Sequence, residues 1–526
     1  MELTSEQIRL IPDWELENNE KVSCPKLEPK VRKENSSMPF DIETANIKNR
    51  IHTCVEKCLL SELTSRLVFA VAAAAFGSAF QHGYNTGVIN SPQDLISQWI
   101  SNVKAERSGE PTTEGTVTMI WSIAVSIFCV GGMIGGCTVG IVADKFGRKG
   151  ALLYNNILVV IAAICMGCSK LISSYELLIL GRFIIGVNAG LNAGLAPVYL
   201  TEISPVSLRG ALGTVYQLVI TISIALSQIL GLAALLGSEL LWPVLLALTV
   251  VPAVLQLATL PMCPESPKHV LQSTGNELKA KQVLTWLRGD LDVHEEIEAM
   301  KSEGGDKISL RQILSDPSLR APLFISAALM LAQQFSGINA AMYYSTNIFK
   351  SAQLSETAAQ YATLSMGAMN SAMTVVSLVL VEKAGRKTLL LVGFSGMLLS
   401  TLLLVFCLLN TQIAFVSYLS VVAVLLFVLF FSIGPGSIPW FIVTELFTQA
   451  ARPVATSVAV TVNWSANFIV GIGFLPLEQL IGSYVFLIFA ILQFVFIIFI
   501  FKKVPETKNK TTEEITAMFR TANYQG

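Results

Sequence analysis

The chain is 526 residues long, 52% hydrophobic and only 14% charged, with a formal net charge of −1. Soluble domains carry about 25% charged residues, so the composition excludes an ordinary water-soluble globule, and the balanced charge gives no support to a nucleic-acid binder. The nine cysteines are scattered along the chain, with no full ligand set spaced for a metal and no pattern of a disulfide framework. Residues 1–60 are rich in Glu, Lys, Asn and Pro and lack an apolar core segment, so they read as a disordered cytosolic tail rather than a signal peptide. Twelve apolar stretches then follow, at 67–89, 119–142, 150–169, 176–199, 211–234, 240–261, 322–344, 360–381, 388–409, 415–439, 454–476 and 482–501. Each approaches the roughly 20 residues that a helix needs to cross a bilayer.

A polar linker divides these spans into two groups of six. The expected units are the tail 1–60, a first bundle 61–262, a cytosolic linker 263–320, a second bundle 321–502 and a cytosolic tail 503–526. Three motifs recur in the same order at an offset of about 240 residues, which marks an internal repeat. Asp144-Lys-Phe-Gly-Arg148-Lys149 returns as Glu382-Lys-Ala-Gly-Arg386-Lys387. Glu202 before Arg209 returns as Glu445 before Arg452, and Pro264-Glu265-Ser-Pro267 returns as Pro505-Glu-Thr-Lys508. Six spans per half make the halves run parallel, the arrangement of major facilitator halves. The four short loops after spans 2, 4, 8 and 10 hold eight Lys and Arg, against four in the loops on the other side. The positive-inside rule places the first set, the linker and both termini in the cytosol.

No Asp or Glu falls well inside a span, and a charge at mid-bilayer costs about 2.5–3.5 kcal/mol on insertion scales. Arg182, near the start of span 4, reads as an anchor that snorkels or pairs close to an interface. The spans instead carry amides: Gln217 and Gln228, Gln333, Gln334 and Asn339, Asn370, and Asn463 and Asn467 flanking Trp464. An amide offers both donors and acceptors, the complement of sugar hydroxyls, although a lone amide more often ties helices together. Asn463 and Asn467 share a helix face, and an aromatic ring nearby can stack on the C–H face of a sugar. Trp440 fits either this site or an interfacial belt. Gly434-Pro435-Gly-Ser-Ile-Pro439 should break span 10 and act as a gating hinge. The repeated acids and bases, Asp144, Arg148, Glu202, Arg209, Glu265, Glu382, Arg386, Glu445 and Arg452, sit where the halves would meet and suit ion pairs that close the inner side. No nucleophile–base pair or phosphate loop points to an enzyme.

With Gly83-Tyr-Asn-Thr-Gly-Val-Ile-Asn90, Asp144 to Lys149, Gly181-Arg-Phe183, Gln333-Gln-Phe-Ser-Gly-Ile-Asn339, Gly434 to Trp440, Asn463-Trp464 and Pro505-Glu-Thr507, the chain resembles the facilitative hexose transporters of the sugar porter family, in the major facilitator superfamily. The resemblance implies an all-α membrane fold with two pseudo-symmetric six-helix bundles and a helical cytosolic linker. It implies hexose uniport by alternating access at the plasma membrane, glucose first and fructose second. It carries sugar contact to Gln217, Gln333, Gln334, Asn339, Asn370, Asn463, Trp464 and Asn467, the inner gate region to Trp440, and the cytosolic latch to Glu202, Arg209, Glu445 and Arg452. The implied partners are a small sugar, lipid and cytosolic partners of the tail, with no nucleic acid, cofactor or metal. Two departures bear on selectivity: Ser432 stands where glucose carriers often have a sugar-contacting Glu, and Met330-Leu331-Ala332 stands where glucose-selective members have Gln-Leu-Ser. A proton symporter would carry an Asp where this chain has Asn85. A transporter-like sugar sensor signalling through the long tail is the remaining rival.

Overall fold

The computed structural model describes residues 63–520, apart from 206–207, 290–292, 303–307, 449, 509, 511–513 and 516. The expected tail 1–60 and the side chains of Arg209 and Glu382 lie outside the described residues. All regular structure among the described residues is helical. The first half holds α1 (Ser65–Gly87), α2 (Gln93–Ser108), α3 (Glu114–Phe146), α4 (Arg148–Cys168), α5 (Tyr175–Ile203), α6 (Arg209–Leu230), α7 (Trp242–Ala247) and α8 (Val250–Thr259). The linker holds α9 (Pro267–Thr274), α10 (Glu277–Arg288), α11 (His294–Ser302) and α12 (Leu310–Ser315). The second half holds α13 (Pro317–Phe335), α14 (Ile338–Ser351), α15 (Glu356–Ala384), α16 (Arg386–Leu409), α17 (Ala414–Ile433), α18 (Ile438–Leu446), α19 (Arg452–Ile481) and α20 (Val485–Lys503).

Local chemistry sets many of these boundaries. Thr64, Ser174 and Ser355 cap α1, α5 and α15 by accepting from the backbone N–H three residues on. Ten segments are long and apolar enough to cross a membrane; Arg452–Lys503 is one of them, although it contains both α19 and α20. Helix α6 packs on α1 with a shorter apolar run, Val215–Leu230. Large apolar side chains such as Phe76, Tyr154, Phe324, Phe406, Phe415 and Phe494 point outward. A water-soluble surface does not tolerate that pattern over a whole exterior, and lipid tails do.

Three stretches depart from the sequence expectation, one of them span 6, which is divided into α7 and α8 at residues 248–249. The loop read between spans 1 and 2 contains the polar helix α2, whose low hydropathy hides it from a search for spans. Span 7 is not one helix, because Gly337 adopts φ +95° and separates α13 from α14. The break expected in span 10 is present between Ile433 and Ile438. Within the halves α3 and α4 pack on α5, α1 on α6, α17 and α20 on α16, and α13 on α19. Two pairs, α3 with α19 and α6 with α15, make the main contact between the halves.

Candidate functional site

A cavity of about 130 Å³ opens where α1, α3 and α6 of the first half face α13, α14, α15, α17, α18 and α19 of the second. Gln217, Gln333, Gln334, Asn339, Asn370, Trp440, Asn463, Trp464 and Asn467 all line it. The two helix breaks bring several of them together. At the end of α13, Gln333 Nε2 donates to the carbonyls of Pro435 (2.8 Å) and Gly436 (2.9 Å), which the break after α17 leaves without helical partners. In lipid such groups must be satisfied internally, so one cavity amide holds the break in place.

A chain of amides continues from there. Asn463 Nδ2 donates to Gln333 Oε1 (2.8 Å), Gln334 Nε2 donates to Asn463 Oδ1 (2.9 Å), and Asn339 Nδ2 donates to Gln334 Oε1. Ser432 Oγ donates to Asn370 Oδ1 (2.9 Å) and Tyr343 OH to Asn467 Oδ1 (3.2 Å), which leaves the NH2 groups of Asn370 and Asn467 for a ligand. The Trp464 ring lies across the boundary between halves. It stacks on His82 at 5.7 Å and meets Phe128 edge-on at 5.7 Å, and Gly132 leaves the room that it fills. Its indole N–H is buried without a partner. Neutral donors and acceptors beside aromatic faces, with no carboxylate or cation among the lining residues, suit an uncharged polyhydroxy ligand.

Sequence reasoning missed several wall residues, among them His82, Thr86, Phe128, Tyr343 and Gly436. His82 with Thr86 four residues later, on one face of span 1, was the available signal for the first two. Arg182 corrects the reading of an interfacial anchor. It is fully buried, with Nη1 donating to Asn85 O (2.9 Å), Nε to Ala124 O (3.4 Å) and its guanidinium 4.7 Å from the Phe128 ring. The residue lies two turns into α5 and faces α1 and α3, where carbonyls rather than water receive it.

The basic motifs build two matching corners, one per half. Arg148 meets Glu202 through Nε (2.9 Å) and Nη2 (3.2 Å), and Arg386 meets Glu445 through Nε (3.0 Å) and Nη2 (2.9 Å). Glu265 accepts from the backbone N–H of Arg148 (2.9 Å) and Lys149 (3.0 Å), and Glu506 from those of Arg386 (2.8 Å) and Lys387 (3.1 Å). A carboxylate at a helix N-terminus is favoured by the free N–H groups and the helix dipole. Gly147 and Gly385 precede these helices at φ +76° and +85°, a conformation glycine adopts without strain. The second oxygens of the acids are matched too, since Ser266 Oγ reaches Glu202 and Thr507 Oγ1 reaches Glu445, both at 2.5 Å. These two ion pairs therefore close within their own halves, not across them as the sequence reading supposed. Asp144 lies 3.9 Å from Arg148, and Arg452 Nη2 donates to Phe447 O (3.3 Å). The corners mark one end of the molecule, called the basic side below.

Fold and cavity together define a multi-pass membrane protein with a neutral polar cavity between its halves. A family model described as "Sugar (and other) transporter" matches residues 70–519. Facilitated glucose transporter member 1 of solute carrier family 2 from Gallus gallus is 48% identical over 466 residues, covering 88% of this chain and 94% of that relative. Member 3 from Oryctolagus cuniculus is 48% identical over 465 residues, covering 87% and 93%. Among solved structures, the partially occluded inward-open form of the xylose transporter XylE from E. coli superposes with a TM-score of 0.73 at 25% identity, covering 85% of this chain and all of that one. The chain belongs to the Sugar (and other) transporter family and has the major facilitator fold.

Proposed function

We propose that the chain is a facilitative hexose carrier, with D-glucose as substrate and fructose as a second, working by alternating access across the plasma membrane. In this reading twelve helices or broken helices cross the bilayer and the basic side faces the cytosol, as positive-inside charge requires. The observation that carries the proposal is the convergence of seven amides and several aromatic side chains, drawn from both halves, on one cavity. A neutral hydrogen bond nets about 0.5–1.5 kcal/mol, so a handful gives the roughly millimolar affinity that lets a carrier release its cargo. Purified protein in liposomes should admit labelled glucose, and fructose to a lesser extent. Uptake no faster than in protein-free liposomes sinks the proposal.

Transport should be passive. Arg182 faces the backbone carbonyl of Asn85, and the Asn85 amide donates to Gln81 O (2.8 Å) and Thr249 Oγ1 (2.7 Å). An amide cannot take up and release a proton here as a carboxylate would. Sugar in proteoliposomes is expected to equilibrate without accumulating under an inward proton gradient, and accumulation that a protonophore abolishes would refute uniport.

The basic corners are proposed to gate the inner side, each a rigid block whose acids and cations, Arg452 included, meet the other half when that side closes. Glu445→Gln or Arg452→Ala should then favour the inward-open form by about tenfold, or 1.4 kcal/mol. Sugar binding from outside should fall by the fraction of competent state lost, and the glucose-to-fructose ratio should hold. The double change Met330→Gln and Ala332→Ser should do the reverse. Met330 Sδ and Met330 O both lie 3.5 Å from Asn463 Nδ2, so the triplet supports the cavity wall from behind. Competition by both hexoses, applied from each side, separates the two effects. Corner variants that change the hexose ratio, beside a triplet variant that does not, would reverse the assignment.

A further inference from the structure

Away from the basic side, the seam between the halves is a polar contact in which donors meet acceptors. Asn90 Nδ2 donates to Met342 O (3.1 Å) and Ser345 Oγ (2.6 Å), and Asn90 Oδ1 accepts from Thr346 N (3.3 Å). Ser345 and Thr346 both reach Thr363 Oγ1, at 3.1 and 3.0 Å. Gln228 is the exception. Its side chain is 1% exposed, yet neither Oε1 nor Nε2 has a hydrogen-bond partner. Gln228 sits in the last turn of α6, one turn beyond Ile224 of the cavity wall. Its Oε1 presses on Gly367 of α15, where a Cβ would come within 2.1 Å. Gly367 lies one turn from Thr363 and just short of Asn370. The amide is thus wedged between α6 and α15, immediately outside the cavity.

A buried amide without partners loses the hydration that it regains when water reaches it. Here that cost exists only while α6 and α15 are shut on each other. We propose that Gln228 is a gate-positioning residue: its unpaired amide disfavours the closed seam, so the carrier returns to the form open on the side opposite the basic corners. The inference rests on the alternating-access reading above. Because α6 against α15 is one of the two main contacts between the halves, a cost placed there acts on the balance between the two open forms. It leaves the cavity wall itself unchanged.

The test uses a glucoside with an aryl group too bulky to be carried, applied from either side to proteoliposomes of uniform orientation. Gln228→Leu keeps the side chain's bulk and removes the polar atoms. Affinity from outside should fall about tenfold, and affinity from inside should hold or rise, the size expected for one unpaired amide. Gln228→Glu places a costlier group in the same seam and should shift the balance the other way. Gln228→Ala should follow the direction of Gln228→Leu, which guards against misfolding of the larger variant. Opposite shifts for the apolar and acidic variants support the proposal. Variants that bind from both sides like the parent, or Leu and Glu variants that shift alike, overturn it. Labelled glucose uptake by the parent separates the two readings: a parent that transports while its variants show no sided shift overturns only the role of Gln228, whereas a parent that takes up no hexose overturns the transport reading.

Discussion

Asn463→Ala should lower hexose affinity by tenfold or more. Asn463 sits in the middle of the amide chain, accepting from Gln334 and donating to Gln333. Removing it takes away a proposed ligand contact and leaves Gln333 Oε1 and Gln334 Nε2 only their long bond to each other, at 3.4 Å. Each unsatisfied buried group costs about 1–3 kcal/mol, and tenfold in affinity is 1.4 kcal/mol. Gln334→Ala should act in the same direction, because it breaks the links to Asn463 and Asn339 together. Equilibrium binding of glucose to purified protein, with thermal stability measured alongside, reads the effect. If both variants fold and bind hexose like the parent, the cavity amides serve to hold helices and the sugar binds elsewhere.

Gly434→Ala is expected to cut turnover at least tenfold. The break between α17 and α18 is packed directly on α16: a Cβ on Gly434 would meet the backbone oxygen of Leu389 at 2.3 Å. On the facing helix, a Cβ on Gly393 would come within 2.4 Å of Pro435 Cδ. A backbone atom cannot rotate aside, so the added methyl must push the break off α16. Overpacking of this kind costs about 1–3 kcal/mol, and here it falls on the proposed hinge. The displacement would also pull the carbonyls of Pro435 and Gly436 from Gln333, which joins the hinge to the cavity. Exchange of labelled hexose at saturating concentration, normalised to inserted protein, is the measurement. A parental exchange rate in Gly434→Ala would show that the break need not stay seated on α16 during the cycle, and the hinge reading would fail.

Much of the architecture follows from local patterns. Long apolar runs require helices in lipid because every backbone group must find its partner within the segment, and a cluster of prolines and glycines must interrupt one. The recurring Gly-Arg-Lys and Pro-Glu motifs announce a duplication, and the two corners repeat its Arg–Glu pair and its carboxylate at the helix N-terminus. What the amides do was not local. Gln81, Asn155, Asn156, Asn192 and Gln256 are as polar as the cavity residues, yet they bond to one another inside the first half and tie α1, α4, α5 and α8 together. Asn370 and Asn467 face the space between halves instead, with their NH2 groups unengaged. An amide's chemistry is the same in either place, and only its neighbours decide whether it is glue or a free contact. The same holds for charge. The alternation of acid and base was visible in the chain, but whether Glu445 reaches Arg386 or a residue of the other half depends on how the helix ends converge. Sequence alone thus determined the apolar spans, the repeat, the break in span 10 and the set of polar groups. Tertiary structure decided which of those groups are already satisfied and which remain for a ligand, because hydrogen bonds and ion pairs depend on distances that packing alone sets.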